Sequence, residues 1–413
     1  MRLRQSLLGA AGALVIAAIA AHAAGIFPGF PQTTGLAGTE MIPADTNLPA
    51  GAVPQTVLIP SAMLSNLSGN PKNYLDNGAM AVQQYGTGII TCAQNAGQSV
   101  TTHPADRWGC GANVAVGAGR GQIVTATPAP PTGFQASMKI YRTSGALLQP
   151  VCAYQEIPTV RSTYLAGKQV TFSVLLDALA GLVADNGGLA DLSIFYGTGT
   201  DEGLGTMTAS PAITPAWTGI AFAVNRQSFN ITTTFTKYSA TATIPTTATE
   251  VGVAICFTPT ASGAGTTDGF AFVGAQLEVA PAPTAFEFLP LEVEQRVAQR
   301  YFWRITEAAP VVQRGMCAVS STSLAVCQIA FPAIMRAVPT MTYTSGFSLT
   351  VAAQTSAVAC TVTRTSTTLA SAAASTQYVP IDCTSSAGFG AAGTAAQLYD
   401  AGGSGVINAY ADF

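Results

Sequence analysis

Two histidines, His22 and His103, set the limits on what this chain could do as an enzyme. A Ser-His-Asp or Cys-His relay needs an imidazole to take the nucleophile's proton. His22 lies in an apolar N-terminal run. That leaves His103, in TTHPADRW, with no G-x-S-x-G elbow anywhere in the chain. His103 therefore reads as a loop residue. Glycoside cleavage would use two facing carboxylates, and Asp106, Asp268 and Glu278 are the acids placed to carry it. Spacing in sequence does not place two of them at the separation such chemistry needs. The GAGRG of residues 117–121 lacks the Lys-Ser/Thr that a phosphate loop requires, and reads as a turn.

Binding chemistry has more candidates. Asp76 and Asn77, before Gly78, and the distant Asp268 fall near the two ends of a long β-rich region. Oxygen ligands there suit a structural calcium, the one cofactor the chain suggests; the plainer reading of Asp76, Asn77 and Gly78 is a turn. Sugar rings stack on exposed aromatic side chains, and Trp217 (in TPAWTG), Tyr85 and Tyr196 are the platforms singled out. Trp108, after Asp106 and Arg107, reads as core. Eight cysteines form no CxxC pair, and so little histidine argues against a zinc site. Cys317 and Cys327 flank the polar turn 320–323 and could face each other across a hairpin. Cys360 and Cys383 could do the same at longer range. The alternative for all eight is the role of small buried apolar residues.

Charged residues make up 9% of the 413, against about 25% in an average soluble domain. The net charge is −3 and no basic cluster appears, which excludes a nucleic-acid surface. Thr, Ser, Asn, Gln and Gly supply the polarity. Threonine is β-branched and uncharged, so it suits an exposed strand face.

These residues must be positioned by strands. Residues 1–24 carry Arg2 and Arg4, an apolar run and a small-x-small site, the pattern of a secretory leader or an uncleaved anchor. In 25–69, apolar runs at 41–42 and 57–59 flank DTNLPAGAVPQ and predict a hairpin arm. Residues 70–290 alternate over 134–143, 168–176, 191–196 and 231–244; 250–258 reads as another strand and 268–277 as the last, with Phe270, Phe272 and Gly274 at period two, and helical signal is weak, around 175–183. That predicts a jelly-roll β-sandwich. Leu291, Val293 and Val297 fall on one face of a short helix spanning a 291–304 connector, and are the expected contact between chains. Residues 305–413 read as a smaller C-terminal β domain with strands near 317–319, 324–330, 340–344, 347–352, 358–364, 377–382 and 406–410, and a Gly/Ala-rich loop over 384–404.

Four motifs in order resemble the jelly-roll module of bacteriophage tail-fibre and tail-spike proteins: NYLDNGAMAVQQYG (73–86), ADRW (105–108), ITTTFTKYSATATIP (231–245) and GAQLEVAPAPTAFEFLP (274–290). QRYF (299–302) resembles the motif that closes such modules, and FPAIMRAVP (331–339) the small β domain at fibre tips. TGLAGTEMIPADT resembles a fibre-associated hairpin. Leu289 stands where the family has arginine, and Tyr85 likewise, so no ligand site carries over. The resemblance implies a non-catalytic virion component, a homotrimer joined to other tail or capsid proteins, whose exposed face meets a bacterial surface glycan. Residues 1–24 favour a different class, a secreted carbohydrate-binding protein. A tail-spike hydrolase is the third.

Overall fold

The computed structural model describes residues 41–45, 56–60, 72–86, 88–92, 103–112, 119–143, 148–203, 216–262, 267–305, 312–343, 346–352, 357–363, 375–400 and 405–412. The leader expected over 1–24 lies outside them. In the first of two units, Met1–Lys72, strands β1 (Met41–Asp45) and β2 (Thr56–Pro60) pair antiparallel, as the flanking apolar runs predict.

The second unit, Asn73–Phe413, opens with a two-sheet sandwich. Its strands are β3 (Ile90–Cys92), β4 (Gly109–Ala112), β5 (Gly119–Val124), β6 (Ser137–Arg142), β7 (Val151–Ile157), β8 (Gln169–Ala178), β9 (Leu189–Gly197), β10 (Ala221–Asn230), β11 (Thr236–Thr243), β12 (Glu250–Phe257) and β13 (Gly269–Glu278). Short helices α1 (Thr159–Ser162) and α2 (Ala180–Asn186) precede β8 and β9. One sheet runs β10-β9-β12-β7-β4; the other runs β11-β8-β13-β6-β5-β3, and the pairings are antiparallel. Between them lies one core, with Trp108, Phe172, Phe257, Phe270 and Phe272 fully buried. Trp108 meets Phe272 edge-on at 5.0 Å between ring centroids.

β13 is central, and all ten of its residues are buried. Its ladder breaks between Val273 and Gln276, where Gly274 takes φ +66°. A left-handed residue costs glycine little, which is why the bulge falls there. The carbonyl of Gly78 accepts from the Gly274 and Ala275 amides exposed by the bulge, at 2.8 and 3.1 Å. Asn73 Oδ1 accepts from the Leu75 and Leu277 amides, and its Nδ2 donates to Ala275 O. The NYLDNG turn is thereby pinned to the strand that closes the sandwich.

After β13, α3 (Leu291–Gln299) leads into a smaller all-β body. Its strands are β14 (Phe302–Ile305), β15 (Val312–Ser321), β16 (Leu324–Ala330), β17 (Thr340–Tyr343), β18 (Phe347–Val351), β19 (Val358–Ala359), β20 (Thr361–Thr363), β21 (Tyr378–Thr384), β22 (Ala395–Asp400) and β23 (Ile407–Tyr410). A three-stranded sheet, β14-β23-β17, accompanies a seven-stranded one, β19-β18-β22-β15-β16-β21-β20, over a separate core. The fold is all-β: a sandwich, a connecting helix and a smaller C-terminal β body.

Four sequence expectations need correction. GAGRG does not end in a turn, because Gly119–Val124 is a strand pairing with β6. A side chain at Gly121 would strike Pro104, so that strand needs its glycine. The loop expected over 384–404 contains β22, which pairs with both β15 and β18. The run 231–244 begins its strand only at Thr236. β7 and β10 carry no clear alternation and were not expected.

All eight cysteines are paired: Cys92–Cys110, Cys152–Cys256, Cys317–Cys327 and Cys360–Cys383. The first joins β3 of one sheet to β4 of the other. Cys152 and Cys256, and Cys317 and Cys327, are direct cross-strand partners.

Candidate functional site

The outward face of the five-stranded sheet carries a second apolar cluster: Cys152, Tyr154, Phe195, Trp217, Ala254 and Cys256. Two glycines shape it. Gly109 is the register partner of Tyr154, and Gly252 that of Phe195. A Cβ at either glycine would strike the facing ring, so each ring lies over its partner's bare backbone. Trp217 and Phe222 close over Phe195, with centroids at 5.1 and 6.3 Å.

The same face turns polar toward its β10 edge. Arg226 holds Asp191 Oδ2 through Nε at 2.8 Å and Nη2 at 2.5 Å. Ser228 Oγ donates to Asp191 Oδ1, and the Arg226 amide donates to Ser193 Oγ. The ladder of β10 with β9 is irregular on both sides of Val224, and Arg226 there takes φ +54°. The Arg226 side chain stays 32% exposed while Asp191 is buried. A planar donor fork, a hydroxyl and the half-buried ring of Phe222 thus lie along one accessible edge.

At one end of this face two carboxylates meet. Glu250 Oε1 accepts from the Glu202 amide at 2.5 Å; Glu202 accepts from the Thr218 amide and hydroxyl. Glu250 Oε2 is buried, and the Glu250 and Glu202 carboxyls hydrogen-bond to each other. Burial, and then the neighbouring Glu202, push the Glu250 carboxyl up to about 7. The Thr218 donors hold Glu202 below the usual range.

A third constellation joins the sandwich to the C-terminal body. Arg107, at φ +67°, is 4% exposed. It donates to Asp76 Oδ2 (3.2 Å), to Asp412 Oδ1 and to Glu156 O (2.7 Å), and its guanidinium lies 3.7 Å from the Tyr301 ring centroid. Arg161 takes the other oxygen of Asp76. Burial opposes ionisation of Asp76, but the two arginines outweigh it and hold the carboxyl below its ordinary value. Arg336, from FPAIMRAVP, reaches Asp201 at 3.1 Å and the carbonyls of Ala411 and Asp412. His103 Nε2 lies 3.4 Å from Asp412 Oδ2. Beside it Asp106 accepts from the backbone and side chain of Gln84, yet burial raises it to about 6.

The expected site residues are dispersed. Tyr85 is 9% exposed, stacked on Phe302 at 3.9 Å and on His103. Tyr196 packs against the inner core, on the opposite face of β9 from Phe195. Trp217, expected on the surface, is 4% exposed because it caps Phe195. None of the three is an open platform. The calcium residues do not fit a cation either. Asp76 is held by two arginines, Asn77 spans Val82 and the Asp106 carbonyl, and Asp268 faces buried Arg142 in a separate network. Glu278 accepts from Gln276 and Thr284. On α3, Leu291 and Val293 are 53% and 44% exposed, whereas Val297 is half-buried. The Arg226–Asp191 edge and the Glu202–Glu250 pair were missed. Their partners are up to 48 residues apart, and only the sheet and the turn after β9 bring them together.

No family model matches the chain, and no curated protein matches it. Among solved structures it is similar to the enzymatically active domain of tailspike protein 4 from bacteriophage CBA120, with 11% identity over 51% of this chain and 22% of that one and a TM-score of 0.30. It is also similar to the CBM22-1–GH10 modules of a Clostridium thermocellum endo-1,4-beta-D-xylanase complexed with xylohexaose, with 14% identity, 48% and 29% coverage, and a TM-score of 0.25. A CBM4 structure matches at 16% identity, 50% and 99% coverage, and a TM-score of 0.25. The chain spans less than a third of the first two, and at such scores the functional reading rests on its own geometry.

Proposed function

We propose that the chain is a non-catalytic attachment protein of the phage tail-fibre type, trimeric, presenting the β9–β10 edge to a bacterial surface glycan. The observation that carries this reading is the buried arginine hub. Arg107 and Arg336 fasten the penultimate residue of the chain to the sandwich, so that two β bodies act as one stiff piece. A protein that transmits attachment needs such a joint. The edge around Arg226, Ser228 and Phe222 offers a partly exposed guanidinium, a hydroxyl oxygen and a ring face, groups that sugar hydroxyls and C–H faces can meet.

The test is binding of the purified full chain to polysaccharide from candidate hosts, with gold labelling of particles against the chain. Phe222→Ala and Ser228→Ala should each weaken glycan binding at least ten-fold while the chain stays folded by circular dichroism. Equal binding by both variants would sink the assignment of this edge, and unlabelled particles the virion reading.

A second reading is favoured by the cysteines. Four disulfides form and persist outside a reducing cytosol, which, with the leader-like start, suits an exported carbohydrate-binding protein. N-terminal sequencing of the protein from a bacterium distinguishes the two: loss of residues 1–23 with no particle label selects export.

A further inference from the structure

We propose that the outward face of the six-stranded sheet binds a hydroxylated carboxylate of the uronic-acid class, in a recess between Lys139 and Asp177. Strand alternation sets both side chains on that face. Met138 and Ile140 on β6, and Leu176 and Ala178 on β8, belong to the inner core, so Lys139, Tyr141 and Asp177 point outward. Ala271, on the central strand β13, is the register partner of Lys139 on one side and of Asp177 on the other. The two charged residues therefore stand about 10 Å apart at their Cα atoms, with only a methyl group between them. Gly269, the partner of Tyr141, adds no side chain to the next row. At the other end Leu175 and Phe134 close the recess, both crowding Gly274.

Neither charge is satisfied within the chain. Asp177 is 7% exposed, yet its carboxylate forms no hydrogen bond or ion pair among the described residues. Lys139 is half-buried, and its ammonium meets only the Tyr141 ring, 4.7 Å from the centroid. Burial alone raises Asp177 to about 6 and lowers Lys139 below its ordinary value, with no opposite charge to offset either. A ligand carboxylate supplies the counter-charge that Lys139 lacks, and ligand hydroxyls supply donors to Asp177. The Tyr141 hydroxyl donates to Gln122 Oε1 at 3.1 Å, which leaves the Gln122 amide nitrogen as a further donor on the strand next to Lys139. One carboxylate and several hydroxyls on a single ring meet these groups together. A simple anion would leave Asp177 bare, and a neutral sugar would leave Lys139 unpaired. The recess lies on the opposite sheet from the β9–β10 edge, and the proposal does not rest on glycan binding there.

The full chain is titrated with D-glucuronate, D-glucose and acetate, and binding is read by ligand-observed saturation-transfer NMR. Glucuronate should bind saturably and at least ten-fold more tightly than either control. Lys139→Met, which keeps the aliphatic stem, should bring glucuronate down to the glucose level. Asp177→Asn, nearly isosteric, should weaken glucuronate at least five-fold while the chain stays folded by circular dichroism. Glucose bound as tightly as glucuronate overturns the proposal, and so does acetate bound as tightly, which would mark a plain anion site. Absence of glucuronate binding overturns it too. Unchanged affinity in Lys139→Met or in Asp177→Asn does the same by placing the ligand elsewhere.

Discussion

Arg107 and Asp412 form a buried ion pair across 305 residues of chain, and it is the closure on which the joined β bodies depend. Arg107 sits in the left-handed region within ADRW, which turns its side chain toward Asp76 and Asp412 at once. Removing one partner of a buried pair leaves the other charge stranded. Arg107→Met should therefore cost about 3–5 kcal/mol of stability. Denaturant unfolding measures it. A loss under 1 kcal/mol would show that the hub does not hold the two bodies together.

Glu294, buried on α3, predicts a pH dependence. Burial, and then Asp76, raise its carboxyl from 4.5 to about 7. The folded state therefore binds a proton that the unfolded state releases at lower pH. Its contribution is neutral below about 4.5 and turns increasingly destabilising as pH rises to about 7. Glu294→Gln should flatten the stability profile across that window. Asp76, held low by its arginines, acts in the opposite sense on the acid side and is common to both proteins. Identical profiles for the two would refute this role for Glu294.

The Cys152–Cys256 bridge spans 104 residues. By loop-closure entropy, its removal in a Cys152→Ser, Cys256→Ser double variant should cost about 4–5 kcal/mol. Thermal melting with and without reductant checks this. A reductant-insensitive melt of the unmutated chain would contradict it.

Leu291 and Val293 are exposed apolar residues of the first turn of α3, whose buried positions are Glu294, Ala298 and Gln299. Leu291→Glu with Val293→Glu should convert the proposed trimer to monomer in sedimentation at unchanged melting temperature. Val297 is a poorer probe because it is half-buried, and its loss would mix folding with assembly. A trimer that persists in the double variant excludes this helix as the seam.

The sequence made strands legible where apolar and polar residues alternate, as in β8 and β9, and Leu291–Gln299 where helical spacing carries charge between apolar residues. β7 is buried almost throughout, so its run VCAYQEI shows no period of two. β10 is an irregular edge strand whose pattern slips at its bulges. The site was harder still. Trp217 reads as exposed because Pro, Thr and Gly surround it, but the ring's partner, Phe195, lies 22 positions earlier and only the sheet register reveals it. Glu250 reads as an ordinary strand start, and nothing local shows that a second carboxylate faces it.

The bridges also decide what a protease can accomplish. Cys92–Cys110, Cys152–Cys256 and Cys360–Cys383 each enclose a segment of chain, the longest reaching from β7 to β12. A single cut inside any of these loops severs the backbone without releasing a fragment. The nicked protein keeps its full mass until a thiol opens the ring. Damage of this kind would accumulate invisibly on a non-reducing gel, and the molecule would go on holding its surface contacts with its backbone already broken.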